Sequence, residues 1–235
     1  MTEQGVAGER AGIGWPEHVR ARQWTRSVDD RHPHLGPSLY ILGLQYFIIQ
    51  VLVAIRFTPT YSVAHNTISD LGNTHCGTFN SRAMCSPLHL LMNLSFLVLG
   101  ICMLVGSMLV YHRYDRSRSA QIGFGAFALG GLGVVLVGLF PENGVSALHG
   151  IGAALPFLIG NVGLVVLGVS LEVPRILRLV TLLAGVGALV ALVFYASSLD
   201  LGLGDGGIER VVAYPQTLWM IVIGAYSLGA SRAAL

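Results

Sequence analysis

Six stretches of the chain are apolar over about twenty residues each, at about 37–56, 87–112, 121–140, 147–170, 177–196 and 214–231, and short polar pieces separate them. Crossing the ~30 Å hydrocarbon core of a bilayer takes about 20 helical residues. Backbone in lipid has to satisfy its own hydrogen bonds, and the period-2 alternation of a membrane barrel is absent, so each stretch is expected to be a helix. Ser86-Pro87 opens the second, with Ser as cap and Pro in the first helical position. Pro141 closes the third, and Tyr214-Pro215 is expected to open the sixth. The pattern predicts an all-α, polytopic six-helix bundle over residues 37–235, preceded by a polar segment, 1–36.

Composition turns the pattern into a location. Charged residues make up 11% of the 235 and hydrophobic ones 53%, against about 25% charged in a soluble domain, so most of the surface is expected to face lipid. No apolar run followed by small residues occurs in the first 30 positions, so a cleaved leader is not expected and the first span stays in the membrane. All 14 basic residues are Arg. With the amino terminus inside, eleven fall on the inner side, and Arg56, Arg82 and Arg210 fall outside. The positive-inside rule thus predicts both termini in the cytoplasm, with loops 57–86, 141–147 and 197–213 outside. A net charge of +2 without a basic run excludes nucleic acid as a partner. The many Gly of the third and fourth spans, Gly123 to Gly138 and Gly150 to Gly168, predict close helix packing.

The outer side also collects the chemistry. Asp70, Glu142, Asp200, Asp205 and Glu209 fall there, with His65, His75, His89 and His149. The 57–86 loop is long for a connection without an element of its own, a length that usually signals function. Cys76 and Cys85, nine apart in that loop, predict a disulfide in an oxidising compartment; free thiols and a redox or metal role are the alternatives. Asp70 reads either as a turn or capping residue or as a site carboxylate at the mouth of the bundle. Asp70, Glu142 and His149 are the acid/base candidates. Asn66, Ser69, His89, Asn93, Glu209 and Arg210 are candidate ligand contacts, with Arg210 also able to pair an acid or anchor an anion. His89 and Asn93, four apart, share a helix face. A Ser69–His149–Asp70 set can be written down but lacks a nucleophile elbow. No HExxH or HxxxH spacing exists, so no metal is expected; the alternatives are a zinc site assembled from separate loops, such as Asp70, His89 and His149, and a haem held by His89 and His149, the only pair on offer for one. Gln45 and Asn161 are the main polar groups at mid-membrane, and Trp219 is expected in an outer aromatic belt.

The segments NTISDLG (66–72), Ser86-Pro87, Asn93 and Phe96, Pro141, Glu142 and His149, and ERVVAYP (209–215) resemble the DUF998 family over about 40–230. That resemblance implies a six-helix prokaryotic membrane protein, here of the bacterial plasma membrane, and supplies no reaction. Three functions remain in view. The outer site binds a membrane lipid or a membrane partner protein, or it is an enzyme acting on a lipid-linked substrate through Asp70, Glu142 and His149, or the bundle is a small-molecule transporter.

Overall fold

A computed structural model describes residues 17–114 and 117–233. It contains seven helices, six of them long and apolar enough to cross a membrane. The expectations for residues 1–16, Arg10 among them, and for Arg116 fall outside the described residues.

Helix α1 (Glu17–Arg31) is the polar exception. Its Thr25 bonds His112 at 2.7 Å, and Asp29 pairs Arg113 at 3.3 Å. The spans are α2 (Leu35–Ile55, with an irregularity at Gly43), α3 (His89–Arg113), α4 (Arg118–Leu139), α5 (Ser146–Ser170), α6 (Arg175–Ala196) and α7 (Gly204–Ala233). Each span packs on the next, and α2 meets α7, so the six close into a ring of mostly antiparallel neighbours. Helix α2 begins at Leu35, two residues before the first apolar stretch read from the sequence.

Glycine sets the spacing of the central helices, as anticipated. A Cβ on Gly131 would sit 2.7 Å from the Leu104 amide and 2.8 Å from the Gly100 carbonyl. A Cβ on Gly133 would run into the Gly152 carbonyl, so α4 touches both α3 and α5 backbone to backbone. Inside this frame Tyr40, Phe127 and Trp219 pack edge to face. Away from it, Ile55, Leu90, Ile176 and Val193 are exposed, as a lipid-facing belt requires.

Two features depart from the sequence reading. The fourth span is interrupted by a π-helical turn at Leu155–Gly160, containing Pro156. Its freed carbonyls are taken up by side chains: Gln216 Nε2 donates to Pro156 O at 2.8 Å, and Asn161 Nδ2 to Phe157 O at 2.9 Å. The sixth span begins at Gly204, ten residues before Tyr214, and Pro215 lies inside it. The polarity of GDGGIER disguised two helical turns as loop. Those turns form because the loop of 57–86 caps them: the Ala64 carbonyl accepts from the amides of Gly206 and Gly207 at 2.8 and 3.2 Å. Trp219 therefore lies about four turns into α7. It is buried, with Nε1 donating to Thr181 at 3.0 Å, rather than in an interfacial belt.

Candidate functional site

The 57–86 loop is ordered by its own polar residues. Thr67 and Asp70 form a reciprocal cap: the Thr67 amide donates to Asp70 Oδ2 at 3.1 Å, and the Asp70 amide donates to Thr67 Oγ1 at 3.1 Å. The cap launches a 3₁₀ turn, Ser69–Gly72. A hairpin follows, β1 (Gly77–Phe79) and β2 (Arg82–Met84), turned by Asn80-Ser81 with both residues at positive φ. Cys76 and Cys85 are joined at its base. Asn93 on α3 donates to Gly72 O at 2.9 Å, and Ser86 donates to Leu71 O at 2.6 Å. The loop is thus fixed to the bundle along its length.

Arg210 serves the same end. Its Nη1 donates to the carbonyls of Val63 and Asn66 at 3.0 Å each and to Gly206 O at 2.6 Å, and Nη2 bonds the Tyr61 hydroxyl at 2.5 Å. It pairs neither Asp70 nor Glu142, and with its donors on backbone carbonyls and the Tyr61 hydroxyl it does not present an anion clamp. Gly206 permits this approach, since a Cβ there would collide with Asn66 O.

Three carboxyl groups gather beneath the hairpin. Asp70 is fully buried. It receives Arg82 Nη2 on Oδ1 at 3.0 Å, and Arg82 Nε at 3.1 Å and Asn66 Nδ2 at 2.9 Å on Oδ2. Burial alone would push its pKa up, but the Arg82 fork, with hydrogen bonds from Glu142 and Asn66, holds it below the usual carboxylate range. Arg82 reaches Asp205 on its other side at 3.5 Å. Glu142, in the turn after α4, accepts from Asn73 Nδ2 at 3.0 Å. Burial and its hydrogen bond to Asp70 push Glu142 up to about 8, so at neutral pH it carries the proton the two share. Glu209, now on α7, accepts the Ile68 amide at 2.5 Å.

Ser69 turns away from Asp70. Its Oγ lies 3.0 Å from His149 Nε2, while His149 Nδ1 lies 2.8 Å from the Phe140 carbonyl. A carbonyl only accepts, so Nδ1 bears the proton, and in the neutral ring Nε2 is left to accept from the Ser69 hydroxyl. Asp70, committed to Arg82, takes no part. His89 also stands apart, with Nδ1 on Ser86 O at 2.8 Å. Among the described residues no three His, Cys, Asp or Glu are grouped to hold a metal ion.

Two cavities meet here. An apolar groove of about 460 Å³ lies between the upper halves of α5 and α6. Phe157, Leu158 and Leu192 line its lower part, and Ser69, His149, Glu142 and Glu209 its upper part. A polar pocket of about 350 Å³ sits under the hairpin, bounded by Arg82, Asp200, Asp205 and Ser198. Thr67, Glu142 and Tyr195 belong to both. Of the residues singled out from the sequence, Ser69, Glu142, His149 and Glu209 reach the groove; Asn66, Asp70, Asn93 and Arg210 hold the loop above it. Arg82, Thr67, Asn73 and Tyr195 were not singled out. The Thr67-x-x-Asp70 spacing is the signature of a cap, and Arg82 was one of three outer Arg; Asn73 and Tyr195 left no signal in the sequence.

The family described as "Protein of unknown function (DUF998)" has a model that matches residues 41–226. No curated protein and no solved structure matches the chain.

Proposed function

The chain belongs to the DUF998 family, and from that premise and the site's geometry we propose that it binds a membrane amphiphile on the extracytoplasmic face of the bacterial plasma membrane. The observation that carries the reading is the adjacency of the two cavities. An apolar groove between two membrane spans adjoins a polar pocket at its upper end, and Thr67, Glu142 and Tyr195 line both. A chain of methylenes suits the first, a headgroup the second, and the groove's volume lies in the range of small-ligand sites. The Cys76–Cys85 disulfide and the Arg bias support the outward orientation of this face.

The charges narrow the headgroup. Arg82 is already shared between Asp70 and Asp205, and Asp200 adds a further acid. A bare phosphate would meet more negative charge than positive. A headgroup offering hydroxyl or ammonium donors fits better.

The test is photo-crosslinking in nanodiscs with a diazirine-bearing acyl lipid. Adducts are expected on the peptides holding Phe157, Leu158 and Leu192. Ala154→Trp, which fills the groove, should remove them. A glycolipid or aminolipid should compete better than phosphatidylglycerol. Adducts spread evenly around the spans and unchanged in Ala154→Trp would refute the reading.

A further inference from the structure

We propose that Ser69 and His149 form a nucleophile–base pair that cleaves an ester-bearing amphiphile held in the groove, a step that rests on the binding reading above. The geometry has the parts an acyl transfer needs. The Ser69 hydroxyl is within 3.0 Å of His149 Nε2. The ring is oriented by Nδ1 on the Phe140 carbonyl at 2.8 Å, which fixes the tautomer that leaves Nε2 free to take a proton. Both side chains line the groove, Ser69 being partly buried and His149 buried. The 3₁₀ turn and the Thr67–Asp70 cap hold Ser69 in place, and the Arg82 fork holds Asp70. That arrangement gives the buried Asp70–Arg82 pair a positioning role, not a catalytic one.

The reaction balances with water as the only co-reactant. Ser69 Oγ attacks the ester carbonyl carbon as its proton passes to His149 Nε2. The acyl–oxygen bond to the alcohol breaks, and the alcohol leaves with the proton from Nε2. Water then attacks the acyl-Ser69 carbonyl, giving a proton to Nε2, and the released Ser69 Oγ recovers it. The products are a fatty acid and the headgroup alcohol, and no oxidation state changes. Thr67 lines the same groove and can donate its hydroxyl to the carbonyl oxygen as charge develops there. The acyl chain lies against Phe157, Leu158 and Leu192, so the substrate class is a long-chain ester whose carbonyl sits at the membrane rim.

The test uses the full chain in detergent micelles or nanodiscs. A long-chain alkyl fluorophosphonate should add to the peptide that contains Ser69, and the wild type should hydrolyse a long-chain 4-nitrophenyl ester. Ser69→Ala should lose both. His149→Gln should slow hydrolysis about 100- to 10,000-fold. Thermal unfolding identifies variants that remain folded, and the photo-lipid assay reports binding separately. A folded wild type that takes the photo-lipid in the groove but gives no adduct at Ser69 and no ester hydrolysis would overturn the nucleophile assignment and leave the binding reading standing. Loss of photo-lipid labelling from the groove would defeat the binding reading itself. Hydrolysis that persists in Ser69→Ala would also overturn the assignment.

Discussion

Replacing Glu142 by Gln probes the carboxylate cluster where its proton sits. Burial and the bond to Asp70 lift the Glu142 carboxyl from 4.5 to about 8. The folded protein therefore keeps a proton that the unfolded chain gives up between those values. For an acid whose folded pKa is raised, stability falls as pH climbs through that window and is level on either side. One such proton is worth about 1.4 kcal/mol per pH unit, so the ceiling is about 5 kcal/mol. Glu142 is only partly buried, at the edge of two open cavities, and Asp70 shares its proton. Both spread the titration and reduce its size, and about 1–2 kcal/mol is expected.

The Gln amide offers an N–H to Asp70 and an oxygen to Asn73 at every pH, so the variant lacks this dependence. Thermal unfolding followed by tryptophan fluorescence, from pH 5 to 9 in one detergent, measures the difference. Wild type and variant should coincide near pH 5, and the variant should lead by about 2–8 °C at pH 9. A gap that stays constant across the range would refute the shared-proton account, because any titration of other groups is common to both proteins.

Arg82→Gln removes the fork on a fully buried carboxylate and should cost about 2–4 kcal/mol in unfolding free energy, at or below the usual range because Arg82 is itself partly exposed; Asp70→Asn in the same chain should recover part of it in a double-mutant cycle. Cys76→Ser with Cys85→Ser should lower stability by about 2–3 kcal/mol in oxidising buffer and leave it insensitive to reductant, read from paired unfolding curves. Gly206→Val should prevent the first turns of α7 from docking on the loop, seen as rapid proteolysis between Ala64 and Ile208 in an otherwise inserted protein.

The membrane spans were legible because they are set by one-dimensional quantities: apolar length, and Gly at close approaches such as Gly131 and Gly133. Ser86-Pro87 misled by a few residues, since α3 begins only at His89 and the Ser86 hydroxyl donates to Leu71 O, fixing the loop, instead of capping the helix. The start of α7 was not, because helix formation at Gly204–Arg210 depends on a partner 140 residues away, the Ala64 carbonyl that satisfies its first amides. Trp219 was misplaced for the same reason, since its depth is counted from that start. Within the site, Asp70 as a cap was readable from Thr67 three residues earlier. Its pairing with Arg82 was not, because the Asn80-Ser81 turn that folds Arg82 back over Asp70 is a tertiary choice of strand register. Ser69 meeting His149 required the 3₁₀ turn and the α4–α5 corner to be in hand together.

Three neighbouring carboxyl groups in so small a volume would repel one another if all were bare, and the fold treats each differently. Asp70 keeps its charge against the Arg82 guanidinium. Glu209 is turned onto a backbone amide, Ile68 N–H. Glu142 is left with a proton and with Asn73 as its donor. Only Glu142 belongs to both cavities and has no cation bonded directly to it among the described residues. It is therefore the acid whose protonation a ligand can alter: an ammonium or hydroxyl headgroup in the pocket would favour its ionised form and shift the shared proton off the Asp70–Glu142 pair. Proton release on amphiphile binding near pH 7, absent in Glu142→Gln, follows from that arrangement, and calorimetry in buffers of differing ionisation enthalpy would detect it. Binding with the same proton count in wild type and variant would show that the headgroup does not meet Glu142.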